Sequence, residues 1–82
     1  MAMKPETQYY VLLGKFASAI HNSPILDSAV VSSVRDQDEN GDTVRFGVSV
    51  NGKYFRTEYP LNTTKTEQDI LDELMSLYNV TD

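Results

Sequence analysis

One hairpin decides most of what this chain can become. In Val44-Arg45-Phe46-Gly47-Val48-Ser49-Val50 every even position is apolar and every odd one is not. That is the alternation of a strand with one buried face. Asn51-Gly52 follows at once, and both residues accept the positive φ of a two-residue type I′ turn. Lys53 to Tyr59 is then the return strand. Such a turn pairs Val50 with Lys53, and therefore Val48 with Phe55, Phe46 with Thr57 and Val44 with Tyr59. The other face pairs Ser49 with Tyr54, Gly47 with Arg56 and Arg45 with Glu58. One face is apolar and the other carries an opposite-charge cross-strand pair, so turn and pattern agree.

A hairpin with one apolar face needs cover, and the flanking sequence offers two amphipathic helices. Pro5 and Glu6 suit a first helical turn. Tyr9, Leu12, Leu13, Phe16, Ala17 and Ile20 then recur at three- and four-residue spacing, leaving Gln8, Lys15 and Ser18 for water. Asn22-Ser23-Pro24 ends the helix, because the residue before a proline is pushed out of the α region. After Pro60, Thr64-Lys65-Thr66-Glu67 reads as a capping box joining Thr64 to Glu67. It opens a second stripe of Ile70, Leu71, Leu74, Leu77 and Tyr78.

Between the first helix and the hairpin lies a less regular strand, Ala29 to Asp36, and a loop around Asp38-Glu39-Asn40-Gly41-Asp42. A bare two-residue turn at Asn40-Gly41 would put Arg35 opposite Phe46 in the core. A loop one residue longer, with Gly41 as the left-handed residue of a bulged turn, puts Val34 opposite Phe46 and Val30 opposite Val50. The longer loop is the expectation. Asp36 then lies near Val44 at the strand end.

The 82 residues are room for one domain. The expected fold is α+β, an αβββα two-layer arrangement: a three-stranded antiparallel meander with two helices packed on one face. Its elements are helix 5–21, strands 28–36, 43–50 and 53–60, and helix 65–79. With no cysteine, disulfides, zinc–thiolate sites and thiol nucleophiles are excluded together, as suits a cytoplasmic protein. Met1-Ala2-Met3-Lys4-Pro5 lacks the apolar region of a secretory signal, and no apolar run approaches the length of a membrane span. A net charge of −5 disfavours generic binding to a polyphosphate.

The αβββα order over residues 6–78 is similar to that of double-stranded-RNA-binding domains. The stretch from Phe46 to Lys53, followed by a strand and a threonine-capped helix, resembles the later part of that family's pattern. The resemblance implies a duplex-RNA surface made by a lysine-rich start to the second helix and a histidine-bearing loop after the first strand. Here those places hold Thr64-Lys65-Thr66-Glu67-Gln68-Asp69 and Asp38-Glu39-Asn40-Gly41-Asp42, which repel a phosphate backbone. The architecture is also similar to that of several small phage-encoded inhibitors, which implies an accessory, regulatory role.

No enzymatic constellation emerges from the sequence. His21 is the only histidine, placed at a helix end where its charge suits the dipole, with no nucleophile or phosphate loop to serve. The acids of the 36–42 loop lack the spacing and terminal glutamate of a calcium loop. No metal or cofactor is expected. The chain has three arginines, Arg35, Arg45 and Arg56, and the expected register gathers all of them on the uncovered sheet face. There Arg35 lies opposite Arg45, with Tyr54, Val31, Ser33, Gly47, Ser49 and Glu58 on the same side. Arginine and tyrosine are enriched at protein interfaces, so Arg35, Arg45, Tyr54 and Arg56 are the candidate site for an acidic protein partner or a second copy. Glu67, Asp69, Asp72 and Glu73 on the second helix form an alternative, acidic surface. The expected function is that of a small non-enzymatic protein-binding or regulatory module. A nucleic-acid-binding domain of degenerate double-stranded-RNA-binding topology is the alternative.

Overall fold

The computed structural model describes residues 4–39 and 41–82. Its elements follow the order α1 (Pro5–His21), β1 (Val30–Asp38), β2 (Gly41–Val50), β3 (Lys53–Pro60) and α2 (Glu67–Val80). The strands form one antiparallel sheet in the order β1-β2-β3, so the fold is a two-layer α+β meander. Among the described residues, no helix is long and apolar enough to cross a membrane.

The hairpin matches the sequence expectation pair for pair. Val50 faces Lys53, Val48 faces Phe55 and Arg45 faces Glu58. Asn51 has φ 53° and Gly52 has φ 76°, the two positive values that the type I′ turn requires. Val44, Phe46, Val48, Val50, Phe55 and Tyr59 are buried beneath the helices. From α1 come Leu12, Phe16, Ala19 and Ile20, and from α2 Ile70 and Leu74. Phe16 stacks flat on Phe46, with ring centroids 3.9 Å apart. This contact fastens α1 to the central strand. Leu26, in the connection before β1, and Leu61, just past β3, complete the core. Neither belongs to a periodic stripe, and the sequence pattern does not reveal them.

The pairing of β1 with β2 departs from the expected register. It runs out to Asp38 opposite Gly41, leaving only positions 39 and 40 between the strands, and sets Val34 opposite Arg45 and Arg35 opposite Val44. Gly41 does carry a positive φ, 119°, but within a paired position rather than in a longer loop. Asn40, part of the expected turn, lies outside the described residues. A register shifted by one reverses every side chain of the strand. Val31, Ser33 and Arg35 therefore face the helix side, and Val30, Ser32, Val34 and Asp36 the open side.

Charge and position together explain the choice. The expected register set Arg35 directly against Arg45, a like-charge pair. The observed one gives Arg35 to Asp42 at 3.3 Å and Asp36 to Arg45 at 2.8 Å, with opposite charges on both faces. Ser33 Oγ meets the Tyr9 hydroxyl at 3.2 Å. Keeping Arg35 on the helix side is tolerable because β1 is an edge strand that the helices do not fully cover. Its side chain and that of Asp42 keep 21% and 25% of their surface exposed.

The second helix starts two residues later than expected. Thr66, not Thr64, is the N-cap: its hydroxyl accepts from the Asp69 N–H, and the Asp69 carboxylate accepts from the Thr66 N–H. The motif is the same capping box displaced by two positions. The later start leaves 61–66 as the crossing from β3. Leu61 can then enter the core, and Lys65 can turn back to form an ion pair with Glu73.

Candidate functional site

The open face of the sheet is built from alternate residues of all three strands. β1 contributes Val30, Ser32, Val34 and Asp36, β2 contributes Thr43, Arg45, Gly47 and Ser49, and β3 contributes Tyr54, Arg56 and Glu58. Three of the four expected site residues, Arg45, Tyr54 and Arg56, come together there. Arg35 does not, because the register turns it to the opposite side. Val30, Ser32 and Val34 take the places foreseen for Val31, Ser33 and Arg35, and the face is more apolar for it. Val30 is 74% exposed, Val34 49% and Tyr54 58%.

At the centre is Gly47, a floor without a side chain. The Tyr54 ring lies over it from one side and the Ser32 hydroxyl approaches from the other. Around this floor is a shallow depression of about 160 Å³, lined by Ser32, Val34, Arg45, Gly47, Tyr54 and Arg56. Its two guanidinium groups differ in their surroundings. Arg45 is held by Asp36 through its Nε, although its directly opposite neighbour is Glu58. Arg56 has no ion pair among the described residues. The depression can thus receive a carboxylate between one oriented arginine and one that is exposed and, among the described residues, in no ion pair.

The acidic alternative on α2 has largely been consumed by the fold. Glu67 accepts from Asn22 Nδ2. Asp69 serves the cap, and Asp72 accepts from Gln68 Nε2 at 2.9 Å. Glu73 turns inward to the Tyr59 hydroxyl at 2.7 Å and to Lys65. Carboxylates so occupied have less to offer a basic partner than four solvated ones. His21 Nδ1 lies 3.1 Å from Asp27 Oδ1, with both side chains well exposed. Among the described residues, no group of three metal-ligating side chains occurs.

A second concavity, of about 380 Å³, lies on the helix side between α1 and β1. Leu13, Phe16, Ala17, Ile20, Ala29 and Val31 give it apolar walls. Sequence periodicity missed it, because a stripe tells which side of a helix turns inward and not whether the sheet beneath is fully covered.

Comparison of the chain with protein-family models, with curated proteins and with solved structures finds no match in any of the three.

Proposed function

We propose that this chain is a small non-enzymatic protein-binding or regulatory module that docks an acidic segment of a partner protein on its open sheet face. The observation that supports the reading is the depression over Gly47, where Arg45 and Arg56 flank exposed Tyr54 and Val34. A partner carboxylate entering it forms charge-assisted hydrogen bonds to guanidinium donors. Neighbouring apolar groups cover Tyr54, Val30 and Val34. An aromatic and arginine centre of this kind is the usual composition of an interface hot spot. Asp36 and Glu58 balance the two arginines in net charge, so recognition rests on local placement rather than on a long-range positive field.

Selection of displayed peptides on the folded protein, with counter-selection on an Arg45→Glu/Arg56→Glu variant, tests the reading. Enrichment of peptides with an acidic residue beside an apolar one supports it. Recovery of sequences without acids, or of sequences that bind both proteins equally, refutes it. Retention on immobilised duplex RNA that weakens steeply with salt would instead favour nucleic-acid binding.

A further inference from the structure

We infer that the outer edge of β1 is a self-association edge, through which two copies of this chain join into one continuous six-stranded antiparallel sheet. Proteins usually protect a sheet edge with charged side chains, above all lysine, with proline, a bulge, an inward-pointing charge or a covering element. The edge at β3 follows that rule, with Lys53, Arg56, Glu58 and Pro60 along it and Lys53 Nζ tied to the Tyr78 carbonyl at 3.1 Å. The edge at β1 follows it less, because its inward-pointing charge, Arg35, is paired with Asp42. It is nine residues long, contains no lysine or proline and is paired without interruption to β2. Among the described residues, no backbone hydrogen bond reaches it from the connections or caps. Its two central charges are already neutralised within the chain, Arg35 by Asp42 and Asp36 by Arg45.

The sequence of β1 indicates a second copy as the occupant, and it also indicates the register. A two-fold axis normal to the sheet keeps each residue on its own face, so the axis passes midway between one residue and its own copy. Centred on Ser32, antiparallel pairing sets Val30 opposite the partner's Val34, twice, so the two most exposed apolar side chains of the strand pack flank to flank while their outer ends stay on the open face. On the helix side it sets Val31 opposite the partner's Ser33, and each Val31 then stands at the mouth of the other copy's apolar concavity beneath α1. The acidic ends of the strands point away from each other, with the two Asp36 residues roughly 26 Å apart along the strands. Centring on Val34 would halve that distance and place Val30 opposite Asp38.

The absence of cysteine makes the register directly testable. Directly opposed residues of antiparallel strands lie about 4.5–5.5 Å apart at Cα, inside the range of about 4.4–6.8 Å that a disulfide spans. Ser32→Cys placed on the axis is expected to oxidise to a covalent dimer at least roughly tenfold faster than Ser49→Cys, an exposed control on the central strand. Sedimentation of the wild-type chain up to roughly 300 µM is expected to show a reversible dimer. Val30→Lys/Val34→Lys, both surface positions, is expected to weaken it at least about tenfold with the circular dichroism spectrum unchanged. A wild-type chain that stays monomeric over that range, or equal oxidation of the two cysteine variants, would overturn the inference. Neither result bears on docking at the Gly47 depression, which peptide selection tests separately.

Discussion

The Tyr54 hydroxyl occupies the space that a side chain at Gly47 would need: a Cβ built there stands 2.8 Å from the Tyr54 oxygen and 2.9 Å from Ser32 Oγ. Both obstructing atoms are the ends of flexible side chains, and Gly47 does not have a positive φ. Gly47→Ala therefore displaces the phenol rather than the backbone, and it removes the strand penalty of glycine, about 0.5–1 kcal/mol. The expected outcome is a stability in urea equal to or slightly above that of the wild type, with binding of an acidic peptide weakened. Loss of stability by more than about 1 kcal/mol would show that the glycine serves the fold rather than the face.

Arg35 and Asp42 form a pair less than one-third exposed, and the Arg35 Nε and Asp42 Oδ1 are both buried without a partner among the described residues. Removing one member strands the other, at a cost of about 1–3 kcal/mol. Replacing both with apolar groups removes the unmet polar atoms as well. Arg35→Met is expected to destabilise by that amount and Arg35→Met/Asp42→Leu to recover most of it, as read from urea midpoints at constant slope.

The cap of α2 separates two threonines. Thr66→Ala is expected to cost about 1 kcal/mol, while Thr64→Ala costs almost nothing. The Thr66 N–H holds the Asp69 carboxyl below its ordinary value of 3.8, helped by the Thr66 hydroxyl, against desolvation, with the charge of Lys65 contributing least. A carboxylate with a depressed folded value contributes its stability in full above pH 3.8 and loses it as pH falls through that depressed value. Acid titration of thermal stability should therefore show wild type and Asp69→Ala apart near neutrality and convergent at the acid end.

Tyr59 gives the mirror image at high pH. Burial raises its phenol above the ordinary value of 10.0, against an opposing pull from the Thr57 hydroxyl, and the phenol donates to Glu73. A raised folded value means stability that is intact below pH 10.0 and lost as pH rises through the folded value. Tyr59→Phe is expected to lose about 1 kcal/mol near neutrality through the missing hydrogen bond and to show a shallower alkaline decline.

The elements and their order were legible because local chemistry and global fold agree over most of the chain. The Asn51-Gly52 turn specified a register that the two alternating strands could confirm independently. β1 offered no such cross-check. Its run Val-Val-Ser-Ser-Val-Arg does not alternate cleanly, and the expectation rested on keeping Arg35 away from the core. That premise fails at an edge strand, where the inward side is only partly covered and an arginine can lie against Asp42 with its tip in water. The same error carried Arg35 into the candidate site and left Val30 and Val34 out of it. The capping box was correct in kind and displaced in position, since Thr64 and Thr66 each stand three residues before an acid. Leu26 and Leu61 escaped because connecting segments have no period to read.

Docking at the Gly47 depression stands or falls on the affinity of a peptide selected on the open face, measured by calorimetry against wild type and Arg56→Glu. Arg56→Glu is expected to weaken binding at least about tenfold, with recovery when the peptide's anchoring acid is exchanged for lysine. Unchanged affinity, or an equal loss from Glu6→Lys on the far side of the molecule, would contradict it.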